Sequence, residues 1–274
     1  MHSDRIRFVT FNVRCGPSED GPNHWDMRKG IFLDALGQMA PHILAVQECY
    51  PFQGDEIGMR FPNWGRIGVG RYHGVDAPER QCESRSGEHT YIFFDAVRYQ
   101  ADSCGAFWHS DTPDRPASTS WGNDLPRVTT WAVLRLRSSG RAFTVFNTHY
   151  HWDEPYRRKT TDLHLERVPR IAGGLPSVFS GDFNLPPDCE THARFTADAP
   201  EGLGLRDAWR LLGRSEEGAG TSHSFTGKPE NRIDWILVSR EFSPLSIEKV
   251  GFQRQGRFPS DHFPVLAELE LRGE

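Results

Sequence analysis

Four short polar motifs, each joined to an apolar run, hold the residues of this chain best suited to chemistry. They are Phe11-Asn12, Gln47-Glu48, Gly181-Asp182-Phe183-Asn184 and Ser260-Asp261-His262. Carboxylates and carboxamides are oxygen donors suited to hard cations such as Mg²⁺. An imidazole next to a carboxylate adds acid–base or phosphate-binding capacity. Acids, amides and a histidine brought into one cluster would make a metal-assisted hydrolase.

Each motif also has a plainer reading. Asp182 and Asn184 alternate around Phe183, so in an extended chain they face one side. Asp182 could then orient or deprotonate a water while Asn184 bonds a phosphate oxygen; equally, Gly-Asp-Phe-Asn could be a turn closing a strand. Asp261-His262 could be a turn, or it could supply one metal ligand and one imidazole. Asp234, in Arg232-Ile233-Asp234-Trp235-Ile236, opens an apolar run and is placed to orient His262 through a ring nitrogen. Glu48 follows a buried-looking run, where an unpaired carboxylate is costly and a cation is expected. Asn12 reads as an assisting metal or phosphate contact, or as a turn residue. In Thr148-His149-Tyr150-His151-Trp152-Asp153 the alternation of His149, His151 and Asp153 resembles a zinc motif. That motif needs a further histidine after the aspartate, where this chain has Glu154-Pro155. The better reading is a phosphate-facing His149 with Glu88 as its orienting partner.

The elements that must position these residues can be read from the apolar runs. Strands are predicted at Phe8–Phe11, Ile43–Val46, Tyr91–Phe94, Thr130–Leu136, Ala142–Phe146, Ser177–Ser180, Ile233–Val238 and Pro264–Leu271. A helix is expected from Asp26 as N-cap, through Phe32, Leu36 and Met39, to Pro41. A second should open near Asp153-Glu154-Pro155 and stop before Pro169. Short helices are expected over Glu190–Asp198 and Arg206–Leu212. Residues 51–88, rich in Gly, Pro and charge, carry no clear pattern. Strands with interspersed helices and no regular βαβ rhythm indicate an α/β protein of two packed sheets with helices outside them.

Length and composition narrow the classes. The 274 residues show no internal repeat or Gly/Ser linker, so one domain spanning 1–274 is expected. A mean hydropathy of −0.59, with no long apolar stretch, argues against a membrane span. No apolar leader precedes the first strand, and the five cysteines form no paired spacing. A cytoplasmic monomer is the resulting expectation. The net charge of −5 lowers the prospect of a duplex nucleic-acid binder, which usually presents a basic face.

Taken together, Asn12, Gln47-Glu48, Asn147-Thr148-His149, Gly181-Asp182-Phe183-Asn184, Arg232-Ile233-Asp234 and Ser260-Asp261-His262 resemble the endonuclease/exonuclease/phosphatase superfamily. They stand in the order expected of it, from about residue 6 to residue 271. The resemblance implies a four-layer α/β/β/α sandwich of the deoxyribonuclease I-like type. It also implies Mg²⁺, or Mn²⁺, and cleavage of a phosphoester bond in a small molecule or a nucleic acid. By motif position Glu48 and Asp261 would be the main metal ligands, assisted by Asn12. Asp182 would activate water, Asn184 would contact phosphate, Asp234–His262 would bind or protonate near the scissile group, and His149 would pair with Glu88. The Trp108–Arg127 stretch departs from the compact nuclease pattern. In it Arg127 could grip a phosphate and Trp121 could stack on a base or sugar, or both could serve a surface loop. Trp25 and Arg28 pose the same choice, while Arg157 and Arg158 read as a solvated helix face. The acidic balance favours a small or single-stranded substrate, with a nuclease as the alternative and a zinc hydrolase using His149 and His151 as a more distant one.

Overall fold

In the computed structural model, residues 4–75 and 86–272 are described. Twelve strands lie among them. They are β1 (Arg5–Asn12), β2 (Ile43–Gln47), β3 (Trp64–Ile67), β4 (Ile92–Asp95), β5 (Tyr99–Trp108) and β6 (Val128–Leu136), then β7 (Ala142–His149), β8 (Ser177–Asp182), β9 (Arg206–Asp207), β10 (Asp234–Val238), β11 (Phe242–Lys249) and β12 (Val265–Leu271). Five α-helices accompany them: α1 (Trp25–Met39), α2 (Pro51–Arg60), α3 (Tyr156–Ala172), α4 (Glu190–Thr196) and α5 (Ala208–Leu211). One sheet runs β11-β12-β1-β2-β4-β3 and the other β5-β6-β7-β8-β10-β9. Both are mixed, with β1–β2 and β7–β8 the parallel pairs.

The period-2 pattern of each strand sorts its residues into layers. Ile6, Phe8, Ile43 and Ala45 from the first sheet meet Phe143, Val145, Val178 and Ile236 from the second in one central core. The opposite parity, Val9, Phe11, Leu44 and Val46, packs under Phe32, Leu36 and Met39 of α1 and Ile57 of α2. On the far side Phe146, Phe179 and Trp235 pack against Val168 and Ala172 of α3 and Phe195 of α4. The result is a helix–sheet–sheet–helix sandwich, as the sequence pattern indicates.

The eight interior strands correspond to the eight apolar runs, with ends that coincide or differ by at most three residues. The four edge strands β3, β5, β9 and β11 carry no such run. One side of an edge strand faces solvent, so no sustained apolar pattern is required of it. In β5 five consecutive residues after Tyr99 are exposed. The expected Arg206–Leu212 helix is two residues of β9 followed by α5, with Asp207 capping the turn by accepting from Trp209 N–H at 2.9 Å.

Two helix boundaries differ from expectation. Helix α1 begins at Trp25, and His24 rather than Asp26 caps it, its Nδ1 accepting from Asp26 N–H at 3.4 Å. Helix α3 continues through Pro169 to Ala172 and is capped by Gly173, which takes the left-handed conformation at φ 57°. Proline costs that helix one backbone bond, yet Val168 and Ala172 on either side are buried in the outer core and hold the last turn in place. Residues 51–60 form α2 from a proline first turn, a pattern the charge of the segment obscured. The described cysteines, Cys15, Cys49, Cys104 and Cys189, are free, as their spacing suggested; Cys82 lies outside the described residues.

Gly181 lies at φ 152°, and a Cβ built on it would fall inside the contact distance of the Thr148 carbonyl oxygen. The close approach of β7 and β8 that aligns His149 with Asp182 therefore needs a glycine here. Gly181→Ala is expected to cost about 3 kcal/mol. Thermal denaturation checks this, and a melting temperature equal to that of the parent would show that the glycine is dispensable.

Candidate active site

The parity that builds the central core also builds the site. Asn12 continues the inward-facing series of Ile6 and Phe8, Asp182 that of Val178, His149 that of Phe143 and Val145, and Asp234 that of Ile236. At one end of the inter-sheet space this series changes from apolar to polar. Just beneath, Gln47 donates to Asn147 Oδ1 at 2.6 Å. Asn147 in turn donates to the carbonyls of Val46 (2.8 Å) and Tyr91 (2.9 Å). This buried amide link ties the two sheets together below the chemistry, a structural role for two motif residues that sequence order alone does not separate from catalysis.

Asn12, fully buried, bridges two carboxylates. Its Nδ2 donates to Glu48 Oε1 and to Asp182 Oδ2, both at 2.9 Å, while its Oδ1 accepts from Arg14 N–H at 2.9 Å. Glu48 Oε2 accepts from Cys15 N–H at 2.9 Å. Glu48 adopts φ 60°, a left-handed conformation that costs a non-glycine residue about 1 kcal/mol. Its side chain is thereby turned from the strand end toward the cluster. Asp182 Oδ1 accepts from Asn184 N–H at 2.8 Å, and Asn184 Nδ2 reaches the Tyr150 carbonyl at 2.9 Å. His262 Nδ1 lies 2.9 Å from Asp234 Oδ2, and its Nε2 is 3.9 Å from Asp182 Oδ2. Asp234 Oδ1 is buried without a hydrogen-bond partner. The Ser260 hydroxyl donates to the Asn12 carbonyl at 2.7 Å, bringing Asp261 beside the first motif.

Electrostatics follow from this crowding. Burial would push Glu48 up, but the Asn12 and Cys15 donors and the His262 charge outweigh it and leave it below the usual range. Asp182 is pushed up to about 7 by burial and the Asp234 carboxylate, against the pull of His262 and Asn12. Asp261 is raised by burial, with Glu48 adding to the shift and His262 opposing it. His262 is buried, which lowers it, yet Asp234 and Asp182 drive it well above the ordinary histidine value. His149 moves well below that value, through burial and then the Arg127 and Arg71 charges.

Several acids thus share a buried site that is short of positive charge. Ligand atoms of Glu48, His149 and Asp182 lie within 4.8 Å of one another, as do those of Asp182, Asp234 and His262. The carboxylate oxygens in these groups are hard donors of the kind that fit a divalent cation. His151 joins neither group; its Nδ1 accepts from Asp153 N–H at 3.1 Å and its ring stacks on Trp152.

The remaining residues singled out from sequence divide clearly. Arg127 is buried, and its Nη1 lies 2.7 Å from His149 Nδ1. Glu88, expected beside His149, is 4.0 Å from it and instead pairs with Arg71 at 2.9 Å. Trp121 donates to Asp111 at 2.8 Å and packs on Tyr156. The exposed indole of the region is Trp152, with the Arg127 guanidinium 5.8 Å from its ring. Arg28 spends its guanidinium on the carbonyls of Asn23, Val13, Pro259 and Arg14, fixing the approach to Ser260. Trp25 donates to Glu56 at 2.7 Å. Arg157 and Arg158 pair with Glu154 and Glu190 on the outer face of α3. Arg14 was not foreseen. It is partly exposed, pairs with Asp20, and holds Nε 3.7 Å from Asp261 Oδ2. Its one signal in the sequence was its place two residues beyond Asn12; the structure adds a positive φ of 59°.

Comparison with known proteins agrees with the geometry. The Endonuclease/Exonuclease/phosphatase family matches residues 9–262. An endonuclease/exonuclease/phosphatase family protein from Bacteroides thetaiotaomicron superposes with a TM-score of 0.85 at 26% identity, over 100% of both chains. A mannosyl-6-phosphatase from Bacteroides thetaiotaomicron VPI-5482 gives 0.81 at 27% identity, over 96% of this chain and 99% of that one. Nocturnin of Drosophila melanogaster is 23% identical over 99% of this chain and 47% of its own length. The chain spans 59% and 47% of the lengths of two curated relatives it matches. The chain belongs to the endonuclease/exonuclease/phosphatase family, whose members are hydrolases acting on phosphoesters. Among the described residues no helix is long and apolar enough to cross a membrane.

Proposed function

We propose that this family member hydrolyses a small phosphoester by in-line attack of water, with Mg²⁺ or Mn²⁺ as its cation. The observation that carries this reading is the convergence of Asn12, Glu48, His149, Asp182, Asp234 and His262 at one end of the inter-sheet space. Glu48 and Asp261 would hold the cation, with Asn12 aligning the carboxylates through its Nδ2. When bound, the cation would polarise a phosphoryl oxygen and stabilise the leaving oxygen. Asp182, fixed on one oxygen by Asn12 and on the other by Asn184 N–H, orients the water and accepts its proton. The His262 imidazolium, held by Asp234, offers its Nε2 proton to the non-bridging oxygens, while the Asn184 side chain, which donates to the Tyr150 carbonyl, braces the turn that carries Asp182.

A small substrate is favoured by the net charge of −5 and by where the arginines go. Arg28 and Arg127 are buried in structural bonds rather than displayed along a groove. Trp152 offers the exposed aromatic surface on which a ring-shaped leaving group, such as a hexose, can rest. Similarity to a mannosyl-6-phosphatase across nearly the whole chain points the same way.

The test is turnover of hexose 6-phosphates, nucleotides, aryl phosphate mono- and diesters, and single- and double-stranded DNA and RNA. Each is assayed with Mg²⁺, with Mn²⁺ and with EDTA. EDTA-sensitive hydrolysis led by small esters is the expected result. Preference for a polynucleotide would overturn the substrate assignment and make the chain a nuclease. Absence of turnover together with absence of Mg²⁺ and Mn²⁺ binding would overturn the reading as a whole.

A further inference from the structure

The two histidines of the site have opposite surroundings. At Nδ1 of His262 stands a carboxylate, Asp234, at 2.9 Å. At Nδ1 of His149 stands a guanidinium, Arg127 Nη1, at 2.7 Å. Arginine has only donors and keeps its protons. The bond therefore requires a lone pair on His149 Nδ1, and the ring proton must sit on Nε2. That nitrogen faces Asp182 Oδ2 at 3.5 Å, on the side where an attacked phosphoryl group would lie.

Arg127 is itself held in place. Glu88 lies 4.0 Å from its Nη1 and is anchored by Arg71, while the Arg127 carbonyl accepts from His109 N–H at 2.9 Å. The long Trp108–Arg127 connection thus ends by delivering one buried guanidinium to one imidazole nitrogen. Glu88 is also 4.0 Å from His149 Nδ1, so it is the group that would take over if the guanidinium were absent.

We propose that Arg127 is a positioning residue that fixes His149 as the neutral, Nε2-protonated tautomer. His149 then donates a hydrogen bond to a phosphoryl oxygen and does not deliver a proton to the leaving group. This rests on the phosphoester-hydrolase reading of the site. It gives the two histidines distinct tasks: His262 brings charge, and His149 brings a directed neutral donor.

The experiment is nitrogen NMR of the metal-free full chain with labelled histidine, His149 being assigned by its disappearance in His149→Gln. In the parent protein, Nδ1 should be unprotonated and Nε2 protonated. In Arg127→Met the proton should move to Nδ1, facing Glu88, and kcat should fall about tenfold with a smaller change in KM. Arg127→Lys, which keeps a donor, should retain the parent pattern. Finally, His149→Gln should slow aryl and alkyl phosphate esters by the same factor. A protonated Nδ1 in the parent overturns the proposal, as does a loss in His149→Gln that grows with leaving-group basicity. The spectrum reads the tautomer without turnover. A chain that hydrolyses no phosphoester would therefore sink the functional reading while leaving this assignment to be judged by its own signal.

Discussion

Asp182→Ala is expected to lower kcat by about 10³- to 10⁴-fold, the upper range for loss of a positioned base, without unfolding the chain. Asp182 is the point on which the site converges. Asn12 from β1, Asn184 from the following turn, and both histidines lie within 3.9 Å of its oxygens. No other carboxylate among the described residues has this set of neighbours, so none can replace it. The same residue predicts a pH signature in the metal-free protein. Its folded value of about 7 lies above the ordinary aspartate value of 3.8. Between those limits the native state binds more protons than the unfolded chain, so this group's contribution to stability falls as pH rises through that window. In EDTA the Asp182→Ala variant should lack that part of the slope. Full turnover by the variant would end the assignment; thermal melts whose pH dependence parallels the parent's would contradict the electrostatic account.

Glu48→Gln should cost about a thousandfold in turnover at limiting Mg²⁺ and weaken Mg²⁺ binding measured calorimetrically. The physical argument is the charge deficit of the site. Glu48 is held below its usual range and so stays ionised, while Asp261 and Asp182 are pushed up. It is also held at φ 60°, where a glutamate pays for its place, and such strain is commonly kept where function needs it. The oxygen of glutamine can still accept from Cys15 N–H, and Asn12 Nδ2, which loses Glu48 as an acceptor, keeps Asp182, so the fold should survive. The variant should also ease the repulsion that raises Asp261. Calorimetry showing unchanged Mg²⁺ affinity would remove Glu48 from the proposed ligand set.

Much of the architecture was legible because burial on both faces of a strand demands apolar residues. Every interior strand announces itself by such a run, from Phe8–Phe11 to Val265–Leu271. Edge strands escape that demand, and Tyr99–Trp108 and Phe242–Lys249 are written in residues that suit solvent as well as a sheet. Helix ends were harder for a related reason. Pro169 ends a helix in isolation, but here the packing of Val168 and Ala172 on the sheet outweighs one lost backbone bond.

What the sequence determined by itself is the donor set and its location. Asn12, His149, Asp182 and Asp234 stand at the ends of apolar runs, in phase with the residues that fill the space between the sheets, while Glu48 and Asp261-His262 adjoin such runs without sharing that phase. Two-residue periodicity is a local property, so it can be read without knowing any partner. What the tertiary structure decided is which atoms meet. Asn12 bridges Glu48 and Asp182 across separations of 36 and 170 residues. Arg28 is consumed by four carbonyls, one of them 231 residues away. Arg127, rather than Glu88, takes the inner nitrogen of His149. Those pairings depend on strand register and on ångström-scale competition between neighbouring donors, and neither is encoded in the spacing of residues along the chain.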